Sequence, residues 1–374
     1  MMPFWIRSLS AFLALVGTAV HAAPVPAVKT FPYKPVGSTI LVPVEVAGSK
    51  PRWFILDTGA NSCVFHKPFA AELGLKSLRP LSGSGAGAGP VEFDTYAKDI
   101  PFAIAGVKFA CPHALGIDLG NQPAIIGHAV HGIIGTDLFE EYIVETDYEL
   151  QVVRLHDKTR FAYAGTGKRV PFTFDRRRPI VVARLTAGGE TAERPLLVDS
   201  GSQSAVDDEW IGKAAALRDA QGGVGLGQAY RTSFGRLDAV EIGPFRFTDV
   251  PGVSGGVPLV GGEVLQRFTI IYDWPRQQMI LEPHPYVTGS FAQASVSGLS
   301  LRQGPQGEIL IEEVGKDTPA ERAGLRKADM IVAVDGTSAG EFGFSRLWRL
   351  FKPGRAYRLS IKRGGMKREL LLAL

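Results

Sequence analysis

The run Phe54-Ile55-Leu56-Asp57-Thr58-Gly59 and its near copy Leu196-Leu197-Val198-Asp199-Ser200-Gly201 decide how this chain is read. Each is a short apolar stretch that delivers an Asp, a hydroxyl residue and a glycine. Each also has a later partner, two apolar residues and then glycine: Ile133-Ile134-Gly135 and Leu259-Val260-Gly261. A third pair follows, with Asp147, Tyr148, Gln151 and Leu155 answering to Asp273, Trp274, Gln277 and Leu281. Three elements repeated in one order mark two related lobes, the second shorter in its middle. The doubled motif predicts a shared carboxylate dyad, Asp57 with Asp199.

The chemistry of such a pair is specific. Like charges in contact cannot both ionise, so two neighbouring carboxylates share one proton. One can then take a proton from water while the other polarises a carbonyl. An apolar strand leading into each Asp supplies the low-dielectric wall. Gly59 and Gly201 are expected to let the backbone turn away tightly. The hydroxyls of Thr58 and Ser200 are expected to bond backbone across the junction. Gly135 and Gly261 are expected to pass beneath the Asp loops, where a missing side chain permits close approach. Past each Asp lies a glycine-rich loop, with Gly83, Gly85 and Gly87 in the first lobe and Gly222, Gly223 and Gly225 in the second. These are expected to be mobile lids over an extended substrate.

With those motifs in place, residues 38 to 285 resemble the retropepsin-type aspartic proteases, fused in tandem so that one chain supplies both halves. The resemblance implies that Asp57 and Asp199 are catalytic, that Thr58 and Ser200 lock them, and that the glycine-rich loops are flaps. It implies an endopeptidase acting on protein or peptide substrates without a cofactor or metal. One departure is that neither flap contains a tyrosine; Tyr96 and Tyr230 lie just beyond. The competing reading is a catalytically silent relic that binds peptides or scaffolds through its C-terminal domain.

That C-terminal domain, from about Val296, resembles a bacterial-type PDZ domain. It carries Thr318-Pro319-Ala320-Glu321-Arg322-Ala323-Gly324-Leu325, then Asp329-Met330-Ile331 and Val334-Asp335-Gly336. The resemblance implies a groove for a C-terminal peptide, with Gly298, Leu299 and Leu347 the candidate lining. Ala328 stands where the family has glycine.

The short apolar runs broken by glycine and proline from Ser38 to Leu281 predict a mostly β protein: two acid-protease-like barrel lobes forming a pseudo-dimer, plus a small α+β PDZ domain. The expected divisions are a signal peptide over 1–22, an extended leader over 23–37, lobes over 38–160 and 169–285, and the PDZ domain over 296–374. Short helices are expected over Lys67 to Leu75, Asp207 to Arg218, Pro319 to Gly324 and Phe344 to Phe351.

Arg7, the apolar stretch Leu9 to Val20 and the small residues ending at Ala22 read as a secretory signal. The expected location is therefore periplasmic or secreted, with no stable membrane span after cleavage. Cys63 and Cys111 are the only cysteines. In an oxidising compartment they could pair, or they could be two buried apolar side chains; the sequence leaves both open. The net charge of +4 is concentrated at the end, where the segment from Ser290 holds fourteen Lys and Arg against nine Asp and Glu. Without aromatic interleaving or a reader motif, this is a solvated basic face rather than a nucleic-acid surface.

Overall fold

The computed structural model describes residues 29–84, 90–120, 122, 126, 128–223, 230–285, 287, 291, 297–303, 308–315, 318–342, 347, 350–351 and 354–374. The protein is mostly β, with two lobes and a smaller C-terminal domain.

In the first lobe, Thr39–Val46 (sequence TILVPVEV) is β-branched and almost wholly buried, as a strand inside a barrel must be. It pairs antiparallel with Arg52–Leu56, the strand that ends at Asp57. Gly132–Ile134 then runs parallel to Arg52–Leu56, with Ile134 beside Leu56. The second lobe repeats this. Arg178–Ala187 pairs antiparallel with Glu190–Asp199, and Leu259–Gly261 runs parallel to the latter, Gly261 beside Asp199. The apolar-apolar-glycine elements thus cross under their Asp loops, as the sequence predicts.

A six-stranded sheet joins the lobes from below, in the order Lys29–Pro32, Val152–Asp157, Tyr142–Asp147, Phe268–Asp273, Gln278–Pro283, Lys168–Pro171. The third repeated element is the hairpin turn of this sheet. Asp147 accepts from the amides of Glu149 and Leu150 at 3.1 and 2.8 Å, and Asp273 accepts from that of Arg276. Gln151 and Gln277 close the two turns with left-handed φ of 56° and 48°. Across the lobes, Tyr142–Asp147 pairs with Phe268–Asp273, register Val144 to Tyr272. Phe268–Asp273 is buried at every position because it is an inner strand of this sheet, paired on both sides.

Two expectations change. Regular structure begins before Ser38: within the segment read as a leader, Lys29–Pro32 is an outer strand of the joining sheet, and Lys34–Val36 pairs with Thr39–Val46. Asp207 to Arg218 is not one helix. A 3-10 turn covers Glu209–Lys213, opened by Asp208, whose carboxylate accepts from the Trp210 amide. Gly212 and an extended Ala214 stop it, and Arg218 already begins the next strand. The first expected helix forms as Lys67–Glu72, with proline in its first turn.

Cys63 and Cys111 form a disulfide, both fully buried. The bridge closes a span of 48 residues, for which the chain-entropy relation gives about 4 kcal/mol. Reduction, or Cys63→Ala with Cys111→Ala, should lower the stability of the chain by up to about that amount, read from denaturant midpoints with and without reductant.

In the C-terminal domain, Leu299–Gln303, Ile309–Val314, Met330–Val334, Ala356–Arg363 and Met366–Ala373 form a sheet in that order, around a core of its own. Thr318 caps the helix Pro319–Arg322, accepting from the Glu321 amide at 3.3 Å. Gly364 and Gly365 turn the last hairpin, both with positive φ. Most of the helix expected over Phe344 to Phe351 lies outside the described residues. Ala328 has φ 69°, a left-handed conformation that a side chain disfavours by roughly 1–2 kcal/mol. Ala328→Gly should therefore stabilise this domain by about 1 kcal/mol in urea unfolding.

Among the described residues, no helix is long and apolar enough to cross a membrane.

Candidate active site

The two Asp-hydroxyl-Gly turns meet at the junction of the lobes. Each carboxylate stands against the other turn: Asp199 packs on Gly59 and Asp57 on Gly201, which brings the two side chains together. Each is held from behind by its own turn. The amides of Gly59 and Gly201 donate to Asp57 Oδ1 and Asp199 Oδ1 at 2.7 and 2.9 Å, and the Ser202 amide adds a second bond to Asp199 at 2.9 Å.

The hydroxyls lock the turns together in a reciprocal pattern. Thr58 Oγ1 donates to the Val198 carbonyl (2.5 Å) and accepts from the Ser200 amide (3.1 Å). Ser200 Oγ donates to the Leu56 carbonyl (2.9 Å) and accepts from the Thr58 amide (3.1 Å). Thr58 and Ser200 are buried, so each polar atom in this knot is satisfied by the other lobe.

Electrostatics follow from that placement. Burial pushes both carboxyls up from the ordinary Asp range, Asp57 the further, and the nearby charge of Asp199 raises Asp57 again. The amide bonds pull each back toward ionisation. Arg178, whose guanidinium is held by Asp175 at 2.6 Å, lowers Asp199 as well. The pair therefore retains one proton to higher pH than a free carboxylate.

The glycines of the motif have a different reason from the one expected. Neither Gly59 nor Gly201 has a left-handed φ. Instead, a Cβ on Gly59 would stand 2.7 Å from Asp199 Cγ, and one on Gly201 would stand 2.6 Å from Asp57 Cγ. Each is small because the opposite carboxylate occupies the space. Gly135 and Gly261 fit the expectation: a Cβ would come within 2.5 Å of the Ala60 and Ser204 carbonyls respectively.

Gly83 and Gly222–Gly223 lie in strands, Arg79–Ser84 and Arg218–Gly223, each paired antiparallel with the strand that follows it. Gly85, Gly87 and Gly225 lie outside the described residues. Tyr96 is buried in the first lobe against Phe65, ring centroids 5.4 Å apart.

In the PDZ domain, Gly298 has φ 74° and packs on Thr318. Leu299 begins the strand at one edge of the sheet. Leu299 and Leu347, expected to line an accessible groove, are instead core residues, 6% and 0% exposed. They join Leu301, Ile311 and Tyr357 in the apolar cluster because their side chains point into the sheet's covered face.

The sequence reading missed Arg177, Asp137 and Arg178. The signal available was the run Arg176-Arg177-Arg178, which has no counterpart in the first lobe. His128 and His131 pack edge-on against Trp53 and Phe69 respectively. Ser254, the serine of a Gly-x-Ser-x-Gly-like stretch, ends a strand paired with Ser233 rather than sitting on a strand-to-helix turn, as a nucleophile elbow requires.

Two β lobes that meet at paired Asp-hydroxyl-Gly turns, followed by a smaller C-terminal β domain, make an arrangement similar to the aspartic proteases. The family model for aspartyl protease matches residues 42–138, and the PDZ domain model matches residues 310–343. A putative serine protease HhoA of Synechocystis sp. (strain ATCC 27184 / PCC 6803 / Kazusa) is 26% identical over 186 residues, 46% of this chain and 43% of that protein. The chain thus spans less than half the length of this curated relative. An aspartic proteinase from Irpex lacteus, known from its crystal structure, is similar at a TM-score of 0.42 and 14% identity, over 70% of this chain and 98% of that one.

Proposed function

We propose that the chain is an aspartic endopeptidase that hydrolyses peptide bonds in extended segments laid across the lobe junction. The observation that carries this is the packing of the Asp57 and Asp199 carboxylates on the opposite motif glycines inside the reciprocal Thr58–Ser200 lock. The ionised carboxylate of the pair takes a proton from water as the water attacks the scissile carbonyl, while the protonated one donates to the carbonyl oxygen. On collapse of the resulting gem-diol the first gives its proton to the leaving nitrogen and the second takes one back from a gem-diol hydroxyl, which restores the singly protonated pair. The amides of Gly59, Gly201 and Ser202 hold both carboxylates in place throughout, so little reorganisation is needed.

On this reading the glycine-rich hairpins close over the substrate. The PDZ domain recruits proteins by exposed C-termini, adding them as a strand along Leu299–Gln303. The protein works outside the cytoplasm, after removal of residues 1–22. The disulfide between its only two cysteines supports an oxidising compartment.

The test is cleavage of a diverse unfolded-peptide library between about pH 4 and about pH 8, with and without a statine-type transition-state mimic. Inhibitable cleavage is expected. A chain that neither cleaves nor binds the mimic is not an aspartic protease, and its function would rest with the PDZ domain.

A further inference from the structure

The two lobes close on each other through equivalent hairpin turns, and the turns differ. In the first lobe the turn is Gly37-Ser38, between Lys34–Val36 and Thr39–Val46. It packs on the second lobe by shape: a Cβ on Gly37 would come within 2.5 Å of Gln203, and one on Gly262 would collide with Ser38. In the second lobe the matching turn, between Thr173–Asp175 and Arg178–Ala187, is Arg176-Arg177. Both arginines have left-handed φ, 48° and 73°. Two successive residues with side chains held there, where glycine or asparagine is the easy choice, signal a conformation fixed from outside.

What fixes it is the first lobe. Arg177 Nη2 lies 2.7 Å from Asp137 Oδ1 and 2.7 Å from Glu140 Oε2, Nε lies 2.6 Å from Glu140 Oε1, and Nη1 donates to the Asn61 carbonyl at 2.9 Å. Asp137, with its side chain 1% exposed, uses its other oxygen to accept from the Cys63 amide (2.9 Å) and Ser62 Oγ (3.1 Å). Every one of these contacts ends on the segment that begins at Asp57 or on the helix Thr136–Glu141 directly after Gly135. The Ala60 carbonyl accepts from the Thr136 amide at 2.9 Å, so loop and helix move as one.

We propose that Arg177 is a positioning residue for the dyad: the second lobe, through this guanidinium, sets the geometry of the loop that carries Asp57. The proposal rests on the proteolytic reading for its kinetic part only. Arginine suits the task because its planar fork satisfies two carboxylates and a carbonyl at once, which lysine cannot do. The clamp is one-sided, since the Gly37-Ser38 turn offers no charge to the loop after Asp199.

The test compares the full chain with Arg177→Gln, Arg177→Lys and Arg177→Gln combined with Asp137→Asn, with Arg184→Gln as a control at an exposed ion pair of the same lobe. Two readouts are taken: hydrogen exchange at the Ser62 and Cys63 amides, and kcat and KM on a peptide substrate. In Arg177→Gln the exchange should quicken and kcat should fall, each by about tenfold or more, with KM little changed. Lysine should recover only part. Asp137→Asn should restore some of the loss by removing a buried unpaired carboxylate. Arg184→Gln should match the parent. Unchanged exchange overturns the clamp, even if the parent cleaves nothing. Faster exchange with parental kcat, or a fall in melting temperature alone, overturns the positioning role and leaves only a tether.

Discussion

Changing Asp57 or Asp199 to Asn should abolish turnover, lowering kcat by about 10⁴-fold or more, the order found when a carboxylate in a proton-transfer site becomes an amide. An amide can neither take the proton from water nor give one to the carbonyl. The fold should survive, because the Thr58 and Ser200 bonds run to backbone atoms and leave the carboxylates out. Stability should in fact rise. Both carboxyls are raised by burial, so their folded forms hold protons that the unfolded chain has released. A raised carboxyl contributes stability below its unfolded value, near pH 4, and that contribution is lost as pH climbs through the folded one. At neutral pH the parent therefore carries a penalty that the Asn variants lack. Calorimetry should show higher melting temperatures for both variants at neutral pH, with the gap closing on acidification. The parent's pH–rate profile should keep its alkaline limb above the ordinary carboxylate range. Full activity in either variant would end the dyad idea.

The second large effect belongs to Gly59 and Gly201. Alanine at either position puts a methyl group where the opposite carboxylate stands, 2.7 Å from Asp199 Cγ or 2.6 Å from Asp57 Cγ. Side-chain atoms of one lobe cannot yield without pulling the carboxylates apart, since the Thr58–Ser200 knot fixes the turns on both sides. Gly59→Ala and Gly201→Ala should each lose activity by about 10²-fold or more, the scale of an ångström of misplacement at a reacting centre. The dyad's titration should also fall back toward that of independent carboxylates, which a pH profile of residual activity or of mimic binding would show. Gly106, with open space around it, is the control for position; its positive φ of 84° means Gly106→Ala tests backbone strain without a neighbour. A Gly59→Ala chain with parental kcat would mean that the carboxylates stand further apart than this geometry has them.

The repeat was legible because duplication preserved the residues that cannot change: the Asp turns, the glycines beneath them, and the Asp and Gln of the sheet hairpins. Those are backbone and contact constraints, and they leave a pattern in a single sequence. Pairing between lobes left none. Nothing in Tyr142–Asp147 says that its neighbour is Phe268–Asp273, because any apolar β strand satisfies the ladder. Lys29–Pro32 reads as leader for the same reason; a lysine and a proline look like a tail until the edge of a sheet is there to receive them. Asp207 to Arg218 misled because alanines suggest a helix, while Gly212 and the Asp208 cap suit a single short turn. Leu347 looked like a groove residue by analogy, and its burial shows that the small domain spends it on its own core. Arg177 was invisible because its partners are on the other lobe. A run of three arginines beside a tight turn is ordinary surface chemistry unless the acceptors are known.

A protease assembled from two identical chains must write both sides of its cleft with one sequence, so any change made for one half of a substrate is imposed on the other. Here the halves have separate genes' worth of freedom within one chain, and the unlike turns Gly37-Ser38 and Arg176-Arg177 are a place where that freedom has been used. Binding positions on the two sides of a scissile bond can be selected independently. On the proposed function, a cleavage motif for this protein need have no palindromic character, and its left and right preferences can drift apart without breaking the centre that both sides share.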